Sequence, residues 1–299
     1  MRVSRARKMA REIRAWNNIF ILRMILGTPF RMIFGNDAGF RENVRGRNQI
    51  VTASQSAPQD FSRDQRAVQL KSEGFLKLNY PYDQKLITQI KDKYLELISE
   101  KEKMGDADMH EVKPTLLFIP ESKFLLTTEL SNLIRTYYEG GYFSVKRVES
   151  WRNYYWGERG LTKNVVANLP HNDQTDIGVL KIFVFLSDDV TRNNGATKIF
   201  KINDTKRIMR SGYFIRNFIL WPANRITKNQ NKINFMEGDT GFSFIFNPQL
   251  ALHQAGLVAD TRTRDVIVIS VQPSFSPLQP DWEEVIIQEG LDNLKKLEM

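Results

Sequence analysis

The sequence predicts a mainly β protein with flanking helices (α+β), whose core is a sandwich or barrel of jelly-roll type. From residue 142 onward the chain consists of short, apolar, aromatic-rich runs separated by turn residues, as in many all-β folds. The composition, 41% hydrophobic and 11% aromatic residues, is that of a globular protein. The part of the chain beyond the basic N-terminus, about 250 residues, is long enough to bury one sizeable core.

The expected strands follow one another with turn residues such as Gly157, Gly195 and Pro248 between them. Their predicted ranges are 143–156, 178–187, 196–202, 213–221, 232–235, 241–246 and 264–272.

The residues before 142 are expected to add one strand and two helices. Alternating residues over 74–78 predict a short strand, and apolar residues at helical spacing after Asp83 predict an amphipathic helix. A second helix is expected over 127–138, beginning at a threonine cap.

After the last expected strand, Asp281 is expected to cap a closing helix.

The positive charge of the chain is concentrated at its N-terminus. The chain has 43 basic and 34 acidic residues and a net charge of +9. Residues 1–47 hold 11 of the basic and three of the acidic side chains, so this segment carries +8 and the remainder +1. Because nucleic-acid-binding folds place a basic stripe on the folded body, specific nucleic-acid binding is not expected.

The basic segment 1–47 is expected to be an amphipathic appendage, joined by a polar linker, 48–69, to a domain that covers 70–299. Its apolar residues have helical spacing, with arginines between them: Met9, Ile13, Trp16, Phe20 and Met24. Four interpretations stay open: packing on its own domain or a partner, binding to an anionic membrane surface, an organelle transit peptide, and non-specific nucleic-acid contact. The charges within 16–34 exclude a membrane span. No secretory cleavage site is evident, so a cytoplasmic rather than secreted protein is predicted.

The chain has no cysteine and three histidines. A disulfide scaffold, cysteine-ligated zinc, iron–sulfur clusters and thiol nucleophiles are therefore excluded. Any metal must be bound by histidine, aspartate or glutamate.

One pattern has the residue types of a metal site. His171 and Asp173 are two apart in a predicted extended segment, so their side chains are expected on one face, and His253 follows a later strand. Two imidazoles and one carboxylate form the facial triad of non-haem Fe(II) oxygenases, which leaves three octahedral positions open. A bidentate co-substrate takes two of them and O2 takes the third.

Arg264 lies eleven residues after His253 and begins an apolar strand. A guanidinium inside a barrel is costly unless it is paired, and a dicarboxylate co-substrate offers a bidentate partner. Arg262 has the same strand parity and is the second choice.

On these residues the chain resembles the phytanoyl-CoA dioxygenase-like branch of Fe(II)/2-oxoglutarate oxygenases. The likeness covers residues 70–275 and rests on the stretches HNDQTDIGVLKIFVFLSDDVTRNNGATKIF, GDTGFSFIFNPQLALHQAG and RDVIVISVQP. It implies a double-stranded β-helix with catalytic metal ligands at His171, Asp173 and His253. It also implies that Arg264 binds 2-oxoglutarate, and that Fe(II), 2-oxoglutarate and O2 are the cofactors.

The sequence departs from the family pattern at Ala255, where members often have a serine that helps to bind the co-substrate carboxylate. Ser270 or Thr197 is the expected replacement. The presence of Asp173 argues against the halogenase variants, which lack this carboxylate.

Other polar residues near these motifs have ordinary interpretations. His110, Asp176 and Lys181 are expected to be solvated, and the aromatic run 151–156 is expected to form barrel wall or to line the substrate mouth.

The sequence as a whole therefore predicts an Fe(II)/2-oxoglutarate-dependent dioxygenase that hydroxylates a small organic molecule and releases succinate and CO2. The alternative is a catalytically inactive jelly-roll binding protein, tethered to a membrane or partner by its basic N-terminus.

Overall fold

The computed structural model describes residue 50 and residues 63–79, 82–103, 111–112, 119–155, 170–173, 178–210, 232–259 and 261–279. The segment 1–47, the expected strand 213–221, the closing helix at Asp281 and His110 lie outside these residues. Within them, no helix has the length and apolar character that a membrane span requires.

The described elements are four α-helices, one 3₁₀ helix at Pro120–Leu125 and nine strands. The helices are α1 (Arg66–Glu73), α2 (Gln84–Lys103), α3 (Thr128–Tyr137) and α4 (Ile202–Arg210). The strands are β1 (Phe75–Leu78), β2 (Glu111–Val112), β3 (Tyr142–Tyr154), β4 (Leu180–Phe185), β5 (Thr197–Phe200), β6 (Ile233–Met236), β7 (Ser243–Phe246), β8 (His253–Gln254) and β9 (Thr263–Ser274).

The strands form two antiparallel sheets. The larger sheet has the order β1-β7-β4-β9-β3-β2 and the smaller one β6-β5-β8. From β4 to β9 the chain passes back and forth between them, with β4, β7 and β9 in the larger sheet and β5, β6 and β8 in the smaller. An isolated bridge between His171 and His253 adds a fourth segment to the smaller sheet. This connectivity is that of a double-stranded β-helix, so the predicted fold class is confirmed.

The interior between the sheets is apolar. Phe183 and Val266 of the larger sheet belong to the same buried cluster as Ile199 and Met236 of the smaller sheet. The opposite faces of β4 and β9 belong to a second cluster, which includes residues of the helices. Because these central strands are buried on both faces, their sequences are continuous apolar runs rather than alternating ones.

The helices α1, α2 and α3 pack on the outer face of the larger sheet. Their buried residues Leu70, Ile90 and Leu130 share a cluster with Ile182 and Ile269. The threonine cap of α3 is confirmed, since the side chain of Thr127 accepts a hydrogen bond from the backbone N–H of Leu130 at 3.2 Å.

Most predicted elements within the described residues agree with the structure, but the 3₁₀ helix, the two-residue strands β2 and β8, and the helices α1 and α4 were not predicted. Helix α1 includes residues 66–69, which the sequence analysis placed in the polar linker. Helix α4 begins at Ile202, the last residue of a predicted strand, and it was not predicted.

Candidate metal centre

Two histidines lie side by side on neighbouring segments of the smaller sheet. His171 and His253 exchange two backbone hydrogen bonds, with N···O distances of 2.8 and 2.9 Å. The backbone N–H of Asp173 donates to the carbonyl of Pro248 at 2.9 Å. These backbone hydrogen bonds fix the chain over 171–173. Because side chains alternate from one face to the other along an extended chain, those of His171 and Asp173 lie on the same side.

The three side chains converge on one point. Asp173 Oδ1 lies 3.8 Å from Nε2 of His171 and 3.8 Å from Nε2 of His253. One potential ligand atom from each residue lies within 4.8 Å of the other two. Two imidazole nitrogens and a carboxylate oxygen suit a divalent first-row transition metal and leave coordination positions open.

The ring of His253 is oriented by the backbone. Its Nδ1 lies 3.2 Å from the carbonyl oxygen of Ala251, so Nδ1–H is the donor and the lone pair of the neutral ring is on Nε2. The Phe246 ring packs edge-on against it, with ring centroids 4.9 Å apart. This arrangement holds Nε2 toward Asp173, where a metal would need it.

The carboxylate of Asp173 has two different surroundings. Oδ1 faces the histidines, whereas Oδ2 accepts a hydrogen bond from Lys181 Nζ at 2.6 Å. Burial acts to raise the pKa of Asp173, but the positive charge of His253 in its protonated form, the charge of Lys181 and the Lys181 hydrogen bond outweigh it and hold the pKa well below its usual value. The prediction that Lys181 is merely solvated is therefore wrong, because its side chain is 24% exposed and contacts Asp173.

The triad lies in the wall of a cavity of about 260 Å³. The same cavity is bordered by Arg264 and Thr197, and its other walls include aromatic, charged and amide side chains from the larger sheet. These are Arg147, Glu149, Trp151, Asn153, Lys181, Phe183 and Phe246.

Arg264 is 4% exposed and is held by groups on both sheets. Its Nη1 donates to the carbonyl oxygen of Gly195 at 2.5 Å and to Thr197 Oγ1 at 3.2 Å. Its Nε and Nη2 donate to Asn153 Oδ1 at 3.0 and 2.5 Å. The guanidinium is thereby fixed as a buried cation beside the triad.

The structure brings Thr197, but not Ser270, to the guanidinium. Ser270 lies six residues along β9 from Arg264, a separation of about 20 Å in an extended strand. It pairs in register with Lys181 and borders a neighbouring cavity. Ala255 lines the cavity of the triad but has no hydroxyl, and the hydroxyl that contacts Arg264 there is that of Thr197.

The remaining candidates lie elsewhere. Arg262 is 58% exposed and faces Asp189 at 3.8 Å, outside the cavity. Trp151 lines the cavity, as the aromatic run suggested. Trp156 and Asp176 lie outside the described residues.

Sequence reasoning missed Asn153, which contacts Arg264. The signal was present in part, because Asn153 shares strand parity with Trp151. Its importance depends on the β3–β9 register, which pairs Asn153 with Arg264 across 111 residues of sequence.

Comparison with known proteins gives matches among solved structures only. No family model matches the chain, and no curated protein matches it. AviO1 from Streptomyces viridochromogenes Tue57 is 16% identical with a TM-score of 0.49, and the match covers 75% of this chain and 100% of that one.

Two further similar structures involve 2-oxoglutarate, one as the co-substrate in the protein's name and one as a bound molecule. SnoK, a non-heme alpha-ketoglutarate-dependent carbocyclase from nogalamycin biosynthesis, is 14% identical with a TM-score of 0.49, and the match covers 70% of this chain and 84% of that one. HygX from Streptomyces hygroscopicus, with nickel and 2-oxoglutarate bound, is 13% identical with a TM-score of 0.47, over 72% and 89% of the two chains.

Proposed function

We propose that this protein is an Fe(II)/2-oxoglutarate-dependent oxygenase that acts on a small organic molecule. One observation carries the proposal. Two histidine Nε2 atoms and one aspartate oxygen converge in the wall of a cavity that also contains a buried arginine.

The residues fit the metal and the co-substrate. His171, His253 and Asp173 would hold Fe(II), and Arg264 would pair with the distal carboxylate of 2-oxoglutarate as its buried counter-charge. When bound, iron and 2-oxoglutarate together supply oxidising power, as one atom of O2 enters succinate after loss of CO2 and the other oxidises the substrate. Hydroxylation is the outcome we propose for that oxidation.

Thr197 would complete the carboxylate site in place of the serine absent at Ala255. Its Oγ1 accepts a hydrogen bond from Arg264, so its own O–H proton can point to a bound carboxylate. Asn153 would keep the guanidinium plane oriented from the other side.

The cavity walls suit a small substrate of mixed polarity. Phe183 and Trp151 provide apolar surface, and Arg147 and Glu149 add charged groups at the same cavity. Apolar walls with a few placed polar groups are typical of small-molecule sites.

The test is an aerobic succinate-release assay with added Fe(II) and 2-oxoglutarate, in which uncoupled turnover needs no identified substrate. We expect Fe(II)-dependent succinate from the wild type and background levels from His171→Ala and Arg264→Ala. If the wild type binds neither iron nor 2-oxoglutarate, the alternative of an inactive binding protein is favoured and the proposal fails.

A further inference from the structure

Lys181 is a cation at an inward-facing position of β4. The next inward positions of this strand are Phe183 and Phe185, which belong to the buried cluster between the sheets. Placing a charged side chain in such a row is costly unless it has a partner. Packing alone therefore does not explain why a lysine occupies this position.

The partner of Lys181 is Asp173 Oδ2, the oxygen of this candidate metal ligand that does not face the histidines. Nζ lies 2.6 Å from Asp173 Oδ2, a short charge-assisted hydrogen bond. The other oxygen, Oδ1, is equidistant from the two histidine Nε2 atoms at 3.8 Å. The two carboxylate oxygens thus have different neighbours, since Oδ1 faces the histidines and Oδ2 is hydrogen-bonded to the lysine.

Among the residues that the structure describes, the other groups near Lys181 do not compete for this bond. Arg147 and Glu149, which border the same two cavities, form an ion pair with each other. Ser270 and Phe246 are the register partners of Lys181 on the adjacent strands. Asp173 is the carboxylate to which the lysine donates.

We propose that Lys181 is a positioning residue that reserves Asp173 Oδ2, so that the carboxylate offers a metal ion a single oxygen. The inference rests on the proposed function and deepens it. Two imidazoles and one oxygen leave three octahedral positions, whereas two imidazoles and a bidentate carboxylate leave two. A bidentate co-substrate would fill both of these and leave none for a further reactant.

The experiment uses Co(II) as a spectroscopic probe in the full-length protein, with four proteins compared. Lys181→Met removes the donor, Lys181→Arg keeps a cationic donor, and Lys77→Met is the control on β1, where the lysine lies over the Phe242 ring. The visible absorption of bound Co(II) reports its coordination geometry, and calorimetry of the Co(II)-loaded proteins gives the affinity for 2-oxoglutarate. Thermal melting of the metal-free variants verifies that each is folded.

We expect Lys181→Met to change the Co(II) absorption band and to weaken 2-oxoglutarate binding by about tenfold or more, the usual size of effects from residues that orient metal ligands. Lys77→Met should match the wild type, and Lys181→Arg should restore most of the wild-type behaviour. An unchanged band in Lys181→Met overturns the inference, even if 2-oxoglutarate binds more weakly, because the lysine would then act only as a charge. If the wild type binds no Co(II), the proposed function itself fails; if it binds both probes and Lys181→Met does not differ, only the Lys181 inference fails.

Discussion

Asn153 and Arg264 face each other across the β3–β9 pair, and the amide oxygen of Asn153 accepts hydrogen bonds from both Nε and Nη2 of the guanidinium. A second set of contacts, from Gly195 and Thr197, holds Nη1. The buried cation is therefore oriented by both sheets. Gly195 has φ of +78°, and a Cβ there would lie 3.2 Å from Arg264 Cδ, so glycine also makes room for the arginine.

Asn153→Ala is expected to weaken 2-oxoglutarate binding by about tenfold to a hundredfold, because hydrogen bonds to a charged group contribute about 1.5–3 kcal/mol. The affinity of the metal site should stay within about twofold of wild type, since Asn153 does not contact the triad. Calorimetric titration of 2-oxoglutarate into metal-loaded protein measures the effect. Asn203→Ala, at an exposed position of α4, is the control, and equal affinities in both variants would contradict the role assigned to Asn153.

Asp265→Ala is expected to lower the free energy of unfolding by about 3–5 kcal/mol, because it leaves a largely buried arginine without its carboxylate. Arg152 Nε and Nη2 both donate to Asp265 at 2.8 Å, and Tyr94 OH lies 3.3 Å from Oδ1. Urea unfolding monitored by circular dichroism gives the difference.

The matched control for this ion pair is Glu139→Gln, which breaks an exposed pair with Lys71 at 3.2 Å. Exposed pairs contribute about 0–1 kcal/mol, so this variant should unfold close to wild type. The double variant Arg152→Met/Asp265→Leu should lose less stability than Asp265→Ala, because no charge is left buried. Equal losses in Asp265→Ala and Glu139→Gln would show that the buried pair is not stabilising.

Alkaline pH is expected to destabilise the protein through Tyr82. Burial raises the pKa of Tyr82 to about 12 in the folded state, above its ordinary value of about 10. The folded state thus favours the protonated phenol. The stability that Tyr82 contributes is therefore fully present below pH 10 and is lost as pH rises from about 10 to about 12.

The slope expected from this group is about 1.4 kcal/mol per pH unit in that window. Urea unfolding of the wild type and Tyr82→Phe at several pH values measures it. The variant should show a shallower decline between pH 10 and 12. Parallel curves would mean that Tyr82 titrates alike in both states.

Deletion of residues 1–47 is expected to leave 2-oxoglutarate turnover unchanged and to reduce association with an anionic membrane or a partner. The segment carries +8 of the net charge and lies outside the family resemblance. Sedimentation with anionic vesicles and elution from a sizing column measure the association, and succinate release measures turnover. Unchanged association would contradict this role, and lost turnover would place the segment in the active domain.

The sequence allowed the candidate metal ligands to be chosen because strand parity, residue type and motif spacing are local properties. Strand parity placed His171 and Asp173 on one face, and the spacing of the family pattern, eleven residues after His253, selected Arg264 over Arg262. Ser270 has the same parity as Arg264, but parity does not measure distance along a strand. Asn153 and Lys181 could not be assigned, because their contacts depend on the β3–β9 register and on the approach of Asp173 to β4, which the pattern of residues does not encode.

The most direct test of the central claim is anaerobic addition of 2-oxoglutarate to the Fe(II)-loaded protein, followed by visible absorption. Chelation of ferrous iron by a 2-oxo acid gives a visible charge-transfer band. We predict a saturable band in the wild type, none in His171→Ala, and a band in Arg264→Ala that needs much more 2-oxoglutarate to saturate. Absence of the band in iron-loaded wild-type protein would contradict the claim that the His171, Asp173 and His253 cluster and Arg264 form one iron and 2-oxoglutarate site.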